Sequence, residues 1–293
     1  MNAFTIKDIE NLSGIKAHTI RIWEQRYEFL KPQRTDTNIR YYSNEELKSI
    51  LNVALLNKYG YKISHISKMD HGQITENLQK ITNIEAQQER VINALIGYMV
   101  DMRLEEFEAV LTRQIADKGL EKVIDETIFP FLERIGILWL TNNVNPAQEH
   151  LVTNLIRQKF LVGIENSPKP STDKTVVLFL PEGEYHELGL IYVNYLFRQA
   201  GVHVFYLGAN VPIADLEFVV KAKAPDLVYT HLSSISHKFK LEKFINNLRT
   251  TLSQVPVIAS GLVLLDYNNQ LPNALTIKKS LQDVKKFILH FGE

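Results

Sequence analysis

The sequence contains no cysteine. That absence removes disulfides, thiolate metal sites, cysteine nucleophiles and thiol redox switching together, so any sensing must use other chemistry. There is also no apolar run long enough to span a bilayer, and the start, MNAFTIKDIENLSG, lacks the basic and then apolar order of a secretory signal. No membrane partner and a cytoplasmic location are expected. Net charge is missing as well, since 33 basic residues balance 33 acidic ones, and this by itself points to no partner. The balance is uneven along the chain, however: residues 1–69 hold eleven Lys/Arg and seven Asp/Glu, a net of plus four, leaving minus four for the rest. Such an excess is compatible with a nucleic-acid-binding head on a neutral body.

What is present is the composition of a soluble globular protein, with 45% hydrophobic and 23% charged residues. At 293 residues the chain exceeds one ordinary core and suits two or three compact units.

The first of these reads as a helix-turn-helix. Thr5 with Asp8 can cap a short helix carrying Ile6, Ile9 and Leu12, Gly14 supplies a turn, and a second helix follows from about Ala17 to Tyr27. Ile20 and Trp23 pack that helix inward, which leaves His18, Thr19, Arg21, Gln25 and Arg26 for base edges and phosphates in a major groove. Next, Pro32, Asp36 and Asn38 favour a turn and Ile39, Tyr41 and Tyr42 a short strand; Arg34, Arg40 and Tyr41 would project from this wing toward phosphates. Ser43 with Glu46 forms a capping box for a helix with Leu47, Ile50, Leu51, Ala54 and Leu55 inward; Gly60 ends it, and one more short element starts at YKISHISKM. These residues, including the T-I-R-x-W-E-x-R-Y helix and the R-x-x-x-N-x-R-x-Y wing, resemble the MerR family of transcriptional regulators over roughly the first quarter of the chain.

Residues 84–166 carry helical periodicities, such as Val91, Ala94, Leu95 and Tyr98, then Phe107, Val110 and Leu111, and predict a four-helix bundle. Pro130 kinks a helix or begins its next turn. Asn142, Asn143 and Pro146 form a loop that can bring Trp139, Glu149 and His150 to one end of the bundle. On spacing alone these three better suit a core tryptophan and a solvated helix start.

From Thr175 the pattern changes to near-continuous apolar strands alternating with helices: TVVLFLP, VHVFYLG, DLVYTHL and VPVIAS, four strands in all. That predicts a doubly wound parallel sheet of flavodoxin-like type, with ligands at the carboxyl ends of its strands. There the first loop holds Glu184 and His186, and Gly189 opens the following helix; Ser233 and Ser234 follow the third strand, and Ser260 and Gly261 the fourth. An imidazole suits a transition metal, and a carboxylate two residues earlier can take its other ring N–H. Glycine at the helix start would let a bulky ligand tail come close to the backbone. A lone loop histidine in an α/β protein is more often an ordinary surface residue.

E-x-H-x-x-G resembles the D-x-H-x-x-G signature of cobalamin-binding domains, VFYLGANVP their second-strand segment, and Ser233-x-Ile235 their S-x-L element. W-x9-E-H resembles the helical cap of light-sensing MerR regulators of the CarH/LitR-like type. The resemblance implies a winged helix-turn-helix at 1–72, a four-helix-bundle cap at 84–168 and an α/β cobalamin-binding-type domain at 173–293. It further implies cobalamin (adenosylcobalamin or another form) between cap and sheet, with His186 as the lower ligand to cobalt, Glu184 orienting it, Trp139, Glu149 and His150 above the corrin, and Gly189, Ser233 and Gly261 lining the site. The protein would be a non-enzymatic regulator that binds a double-stranded DNA operator as a homo-oligomer, dimer or tetramer, with a protein antagonist as a further partner.

Three positions depart from the family pattern: Glu184 stands for the usual aspartate, Leu262 where a second glycine is common, and Leu140 where light-responsive relatives place a histidine. Two other readings stay open. One makes the C-terminal half a cobalamin-independent module for oligomerisation or protein interaction; the other makes the chain a corrinoid-dependent enzyme subunit, for which a DNA-binding head has no use.

Overall fold

The computed structural model describes residues 3–140, 144–234, 239–252, 254–265, 267 and 275–293, with all side chains in that range except those at 137, 139, 140 and 249. Contacts group the chain into two compact units, Met1–Ile156 and Arg157–Glu293.

In the first unit, helix α1 (Ile6–Ser13) starts at Thr5, whose hydroxyl accepts the Asp8 N–H while the Asp8 carboxylate accepts the Thr5 N–H, the expected capping box. Gly14 closes it at φ 72°, a left-handed conformation that glycine adopts without a side-chain clash. Helix α2 (Ala17–Arg26) buries Ile20 and Trp23. Strands β1 (Gln33–Arg34) and β2 (Arg40–Tyr41) pair antiparallel as a wing, and a further bridge from Phe4 to Tyr42 stitches the wing to the residues before α1. Helix α3 (Asn44–Lys58) is capped by the Ser43/Glu46 box, and α4 (Ile63–Ile66) and α5 (His71–Lys80) follow.

Four helical rods come next: α6 (Ile84–Val100); α7 (Leu104–Lys118); α8 (Leu120–Val123) running through a π turn at Ile124–Ile128 into α9 (Phe129–Leu140); and α10 (Pro146–Glu165). The π turn lies just ahead of Pro130, which has no N–H to give the preceding turn; the backbone widens there, with the Phe129 N–H bonded to Ile124 O five residues back. Proline is thus absorbed by a change of helical register.

Head and bundle share one unit because α3 is covered on several sides. It buries Val53 and Leu56 in addition to the five inward residues expected, since α1, α5 and α6 all pack on it. Polar ties run the same way: Asn93 Nδ2 donates to Leu51 O (3.4 Å), Lys58 pairs with Glu89 (2.7 Å) and Lys48 with Asp101 (2.5 Å).

The second unit contains β3 (Thr175–Pro181), α11 (Leu188–Gln199), β4 (His203–Val211), α12 (Ile213–Lys223), β5 (Leu227–His231), α13 (Leu241–Thr251), β6 (Val257–Ser260), β7 (Leu275–Lys278) and α14 (Leu281–Gly292). The strands are all parallel in the order β4-β3-β5-β6-β7. This is the doubly wound, flavodoxin-like arrangement, and its switch point lies between the ends of β3 and β5. One strand exceeds the four expected: β7 is a four-residue edge strand with only its first residue buried, too short and too half-exposed to leave an apolar run. Strand β4 also runs three residues past its expected end, through two register shifts against β3.

Among the described residues no helix is long and apolar enough to cross a membrane. In the bundle, buried Phe131 meets buried Phe107 edge-on at 5.4 Å between ring centres. Truncating Phe131→Ala is expected to cost about 3–5 kcal/mol. Thermal unfolding followed by circular dichroism checks this, and a loss below about 1 kcal/mol would mean that this pair is not central to the bundle core.

Candidate functional site

The expected residues fall into three groups, two in the first unit and one in the second. In the first, α2 is positioned from its N-terminus: the Ala17 N–H donates to the Glu10 carboxylate (3.2 Å), which also pairs with Lys16 (3.1 Å). His18, Arg21 and Gln25 recur at helical spacing on exposed positions, with Arg26 exposed beside them and Thr19 partly buried. Thr19 Oγ1 lies 3.3 Å from His18 Nε2. The wing exposes Arg34, whose guanidinium donates to Asn38 Oδ1 at 2.7 Å, and the Tyr41 hydroxyl is bonded to Gln33.

Arg40 is placed differently from its neighbours. It is partly buried and pairs with Glu24 of α2 at 2.9 Å, while the buried Tyr42 hydroxyl donates to the other oxygen of the same carboxylate. Burial and the adjacent Glu24 charge together raise the Tyr42 pKa, so the phenol stays a donor. Glu24, which sequence reasoning did not single out, thereby pins the wing to α2. Its two partners lie 16 and 18 residues away, a separation with no local sequence signal.

Elsewhere in this unit, Glu149 and His150 lie in the first turns of α10 and pair with each other, carboxylate to Nδ1, at 3.0 Å. Just before them, buried Gln148 donates to Val100 O at 2.8 Å, and the same carbonyl accepts from Asn44 Nδ2 of α3 at 3.0 Å. The side chains of Trp139 and Leu140, and residues 141–143, lie outside the described residues.

In the second unit, the loop after β3 ends at the switch point. The Glu184 N–H bonds to Pro181 O (3.0 Å), Asn210 of the extended β4 donates its N–H to Glu184 O (3.1 Å), and the Gly183 N–H donates to Asn210 Oδ1 (2.9 Å). The Glu184 side chain is only 1% exposed. Its Oε1 accepts the His186 N–H at 2.7 Å and lies 2.7 Å from His186 Nδ1, and its Oε2 accepts the Ser234 N–H at 3.0 Å. Burial pushes the Glu184 pKa up, but the His186 ring, the two backbone donors and the His186 charge outweigh it and leave the carboxyl below its ordinary value. The extra methylene relative to aspartate therefore does not prevent the pairing. The His186 side chain is 56% exposed. Behind it, Glu187 is clamped by Arg157 and by the Tyr206 hydroxyl (2.9 Å).

The remaining expected positions lie close by, but not all in the expected role. Gly189 does not border open space: the imidazole of His231, at the end of β5, occupies the position a Cβ would take. Gly261, at φ 115°, lets the Leu232 backbone come just as close. Ser233 is partly buried in the loop after β5, where the backbone of Ser234 reaches Glu184. Ser260 offers no hydroxyl at the edge as expected, because its Oγ lies 2.6 Å from the Tyr229 hydroxyl and 2.8 Å from His231 Nδ1. Burial pulls the His231 pKa down to about 4, so this ring is neutral around pH 7. Leu262 is 72% exposed. His231 was missed in the sequence because a lone histidine at a strand end fits no spacing rule.

Comparison with known proteins gives these clusters their context. Residues 4–73 match the MerR HTH family regulatory protein family, and residues 91–162 and 174–273 match two B12 binding domain families. The chain is 28% identical over 270 residues to the HTH-type transcriptional repressor CarH of Myxococcus xanthus, covering 88% of each chain. It is likewise 28% identical over 264 residues to the repressor CarA of the same organism, covering 88% of this chain and 86% of that one. The Methanosarcina barkeri monomethylamine corrinoid protein shares the fold of 69% of this chain, over 99% of its own length, with a TM-score of 0.54 at 12% identity.

The buried carboxylate gives a direct test of the switch-point loops. Glu184→Gln keeps the shape but puts an amide where three donors converge, and is expected to cost about 1–3 kcal/mol. Chemical denaturation of the full chain reads the change, and an unaltered midpoint would show that the loops hold without the charge.

Proposed function

We propose that this chain, which combines a MerR-type helix-turn-helix with B12-binding segments and is homologous to the CarH and CarA repressors, is a cytoplasmic, non-enzymatic transcriptional regulator whose grip on DNA is set by bound cobalamin. The observation that carries this reading is the His186–Glu184 pair. A metal held axially by a protein needs an imidazole that is accessible, fixed in orientation and made more basic by a carboxylate on its other nitrogen. His186 meets the first condition by its exposure and the others through its 2.7 Å contact with buried Glu184. The donor set fits cobalt, and Nε2 is the nitrogen His186 would present to it. Bound cobalamin would supply a metal centre able to exchange an axial ligand. Gly189, Ser233 and Gly261 are assigned to the same sheet edge, and Trp139, Glu149 and His150 to the upper face of the corrin.

On the DNA side, His18, Thr19, Arg21, Gln25 and Arg26 are assigned to the major groove and Arg34 and Tyr41 to phosphates. Arg40 would serve the same surface by holding the wing against Glu24. A dimer or tetramer would match an operator with repeated half-sites, since protein symmetry is reflected in the DNA. Control requires that cobalamin prefer one assembly over another. The bonds that could carry such a preference meet at Val100 O, which holds both Gln148, next to Glu149 and His150, and Asn44 at the start of α3 in the head.

Two outcomes are expected. Titration of the purified protein with adenosylcobalamin, in the dark and after illumination, gives saturable binding in the corrin spectrum and alters retention of a duplex selected from random sequence; Glu184→Gln weakens cobalamin binding about 10–100-fold. Absence of any corrin binding would overturn the cobalamin half of the reading while leaving DNA binding intact. Separately, Arg26→Ala weakens binding to all duplexes and lowers the log–log salt slope by about 1 if it touches phosphate only. Retention measured between low and moderate salt decides this, and an unchanged slope would place Arg26 off the backbone.

A further inference from the structure

The corrin reading raises a question of space on the face where His186 would bind. A cobamide carries its own lower base on a nucleotide tail, and one face of the metal accepts one axial ligand. If His186 were to hold the cobalt, the tail's own base would be released, and a tail retained by the protein would have to find room beside His186. What flanks His186 is the first turn of α11, with Gly189, and the end of β5 behind it. Close approach there would have to use the gap that glycine leaves.

That gap is filled from within the chain. The His231 ring lies against Gly189 so closely that a Cβ there would collide with it. On its other side the ring is tethered through Nδ1 to Ser260 Oγ at 2.8 Å, and Ser260 is in turn held by the buried Tyr229 hydroxyl at 2.6 Å. Three side chains on β5 and β6 thus form a plug whose tip is the imidazole. The second glycine offers no alternative, since the Leu232 backbone occupies the equivalent space at Gly261.

We propose that His231 is a specificity-determining residue of the corrinoid site: its ring, tethered by Ser260, occupies the space beside Gly189, so that a corrinoid without a nucleotide tail binds directly whereas one with a tail must first displace the ring. The proposal rests on the corrinoid reading above. It assigns to Ser260 the part of a latch, whose removal loosens the plug without emptying the space.

The test compares equilibrium binding of cobinamide, which lacks the nucleotide, with that of cobalamin to the full-length protein, read in the corrin spectrum. In the unmodified protein cobinamide binds at least as tightly as cobalamin. His231→Gly tightens cobalamin about tenfold, the scale of one hydrogen bond with its packing, and leaves cobinamide within about twofold. Ser260→Ala shifts the cobalamin to cobinamide ratio in the same direction by about threefold; it keeps the proposal testable should His231→Gly fail to fold, as judged by circular dichroism. Equal effects of these substitutions on both ligands, or weaker cobalamin binding, would overturn the role of His231 alone. If no form binds either ligand, the corrinoid reading falls and takes this proposal with it.

Discussion

A carboxylate out of water is stable only when its lone pairs are filled, and the edge of the parallel sheet is organised around one such group, Glu184. Its donors come from two loops: the N–H and ring of His186 in its own loop, and the Ser234 N–H from the loop after β5. Its pKa stays below the ordinary value despite burial, so the fold selects the charged form. Pulling the loops apart would strand that charge, and so the two strand ends that bracket the switch point are fixed relative to each other. Glutamate does this where the family pattern has a shorter side chain. It holds His186 with one oxygen and still spans to Ser234 with the other.

The DNA-binding head uses the same device. Glu24 is nearly buried and accepts from Arg40 and Tyr42, so the antiparallel wing and the exposed stripe of α2 are set at one angle by a single carboxylate. The head buries a core around Ile9, Ile20, Trp23 and Leu47, but one of a size that is marginal alone. It gains the rest by laying α3 on α6, where Asn44, Lys48 and Lys58 make polar ties to the bundle. Head and bundle thus fall in one compact unit, tied where Val100 O accepts from Asn44 at the start of α3.

Sequence made legible whatever is local or periodic. Both capping boxes, the turn at Gly14, the alternation of strands and helices, and the approach of Glu184 to His186 all depend on residues a few positions apart. Four things escaped for the opposite reason. The pairing of Arg40 with Glu24 spans 16 residues and depends on how the wing folds back. The π turn before Pro130 has no sequence mark beyond proline itself. Strand β7 is a short edge strand completed by its neighbour. His231 and Ser260 meet across 29 residues, and neither belongs to a spacing that suggests a partner.

Glycines in a binding motif are usually taken as room for a ligand, but room depends on what faces the missing Cβ as well as on the glycine. At Gly189 and Gly261 the facing atoms belong to His231 and Leu232, so both glycines serve packing within the unit as it stands. Leu262, which stands where a second glycine is common in the family pattern, is largely exposed. The group proposed to face a tail lies on the neighbouring strand, at His231, and it is polar where a leucine would be apolar. A partly buried imidazole held by one hydroxyl would give up about one hydrogen bond on turning out, a cost a ligand can meet; the backbone packed at Gly261 has no such freedom. Of the two close approaches at this edge, the one at Gly189 is therefore the one that can open.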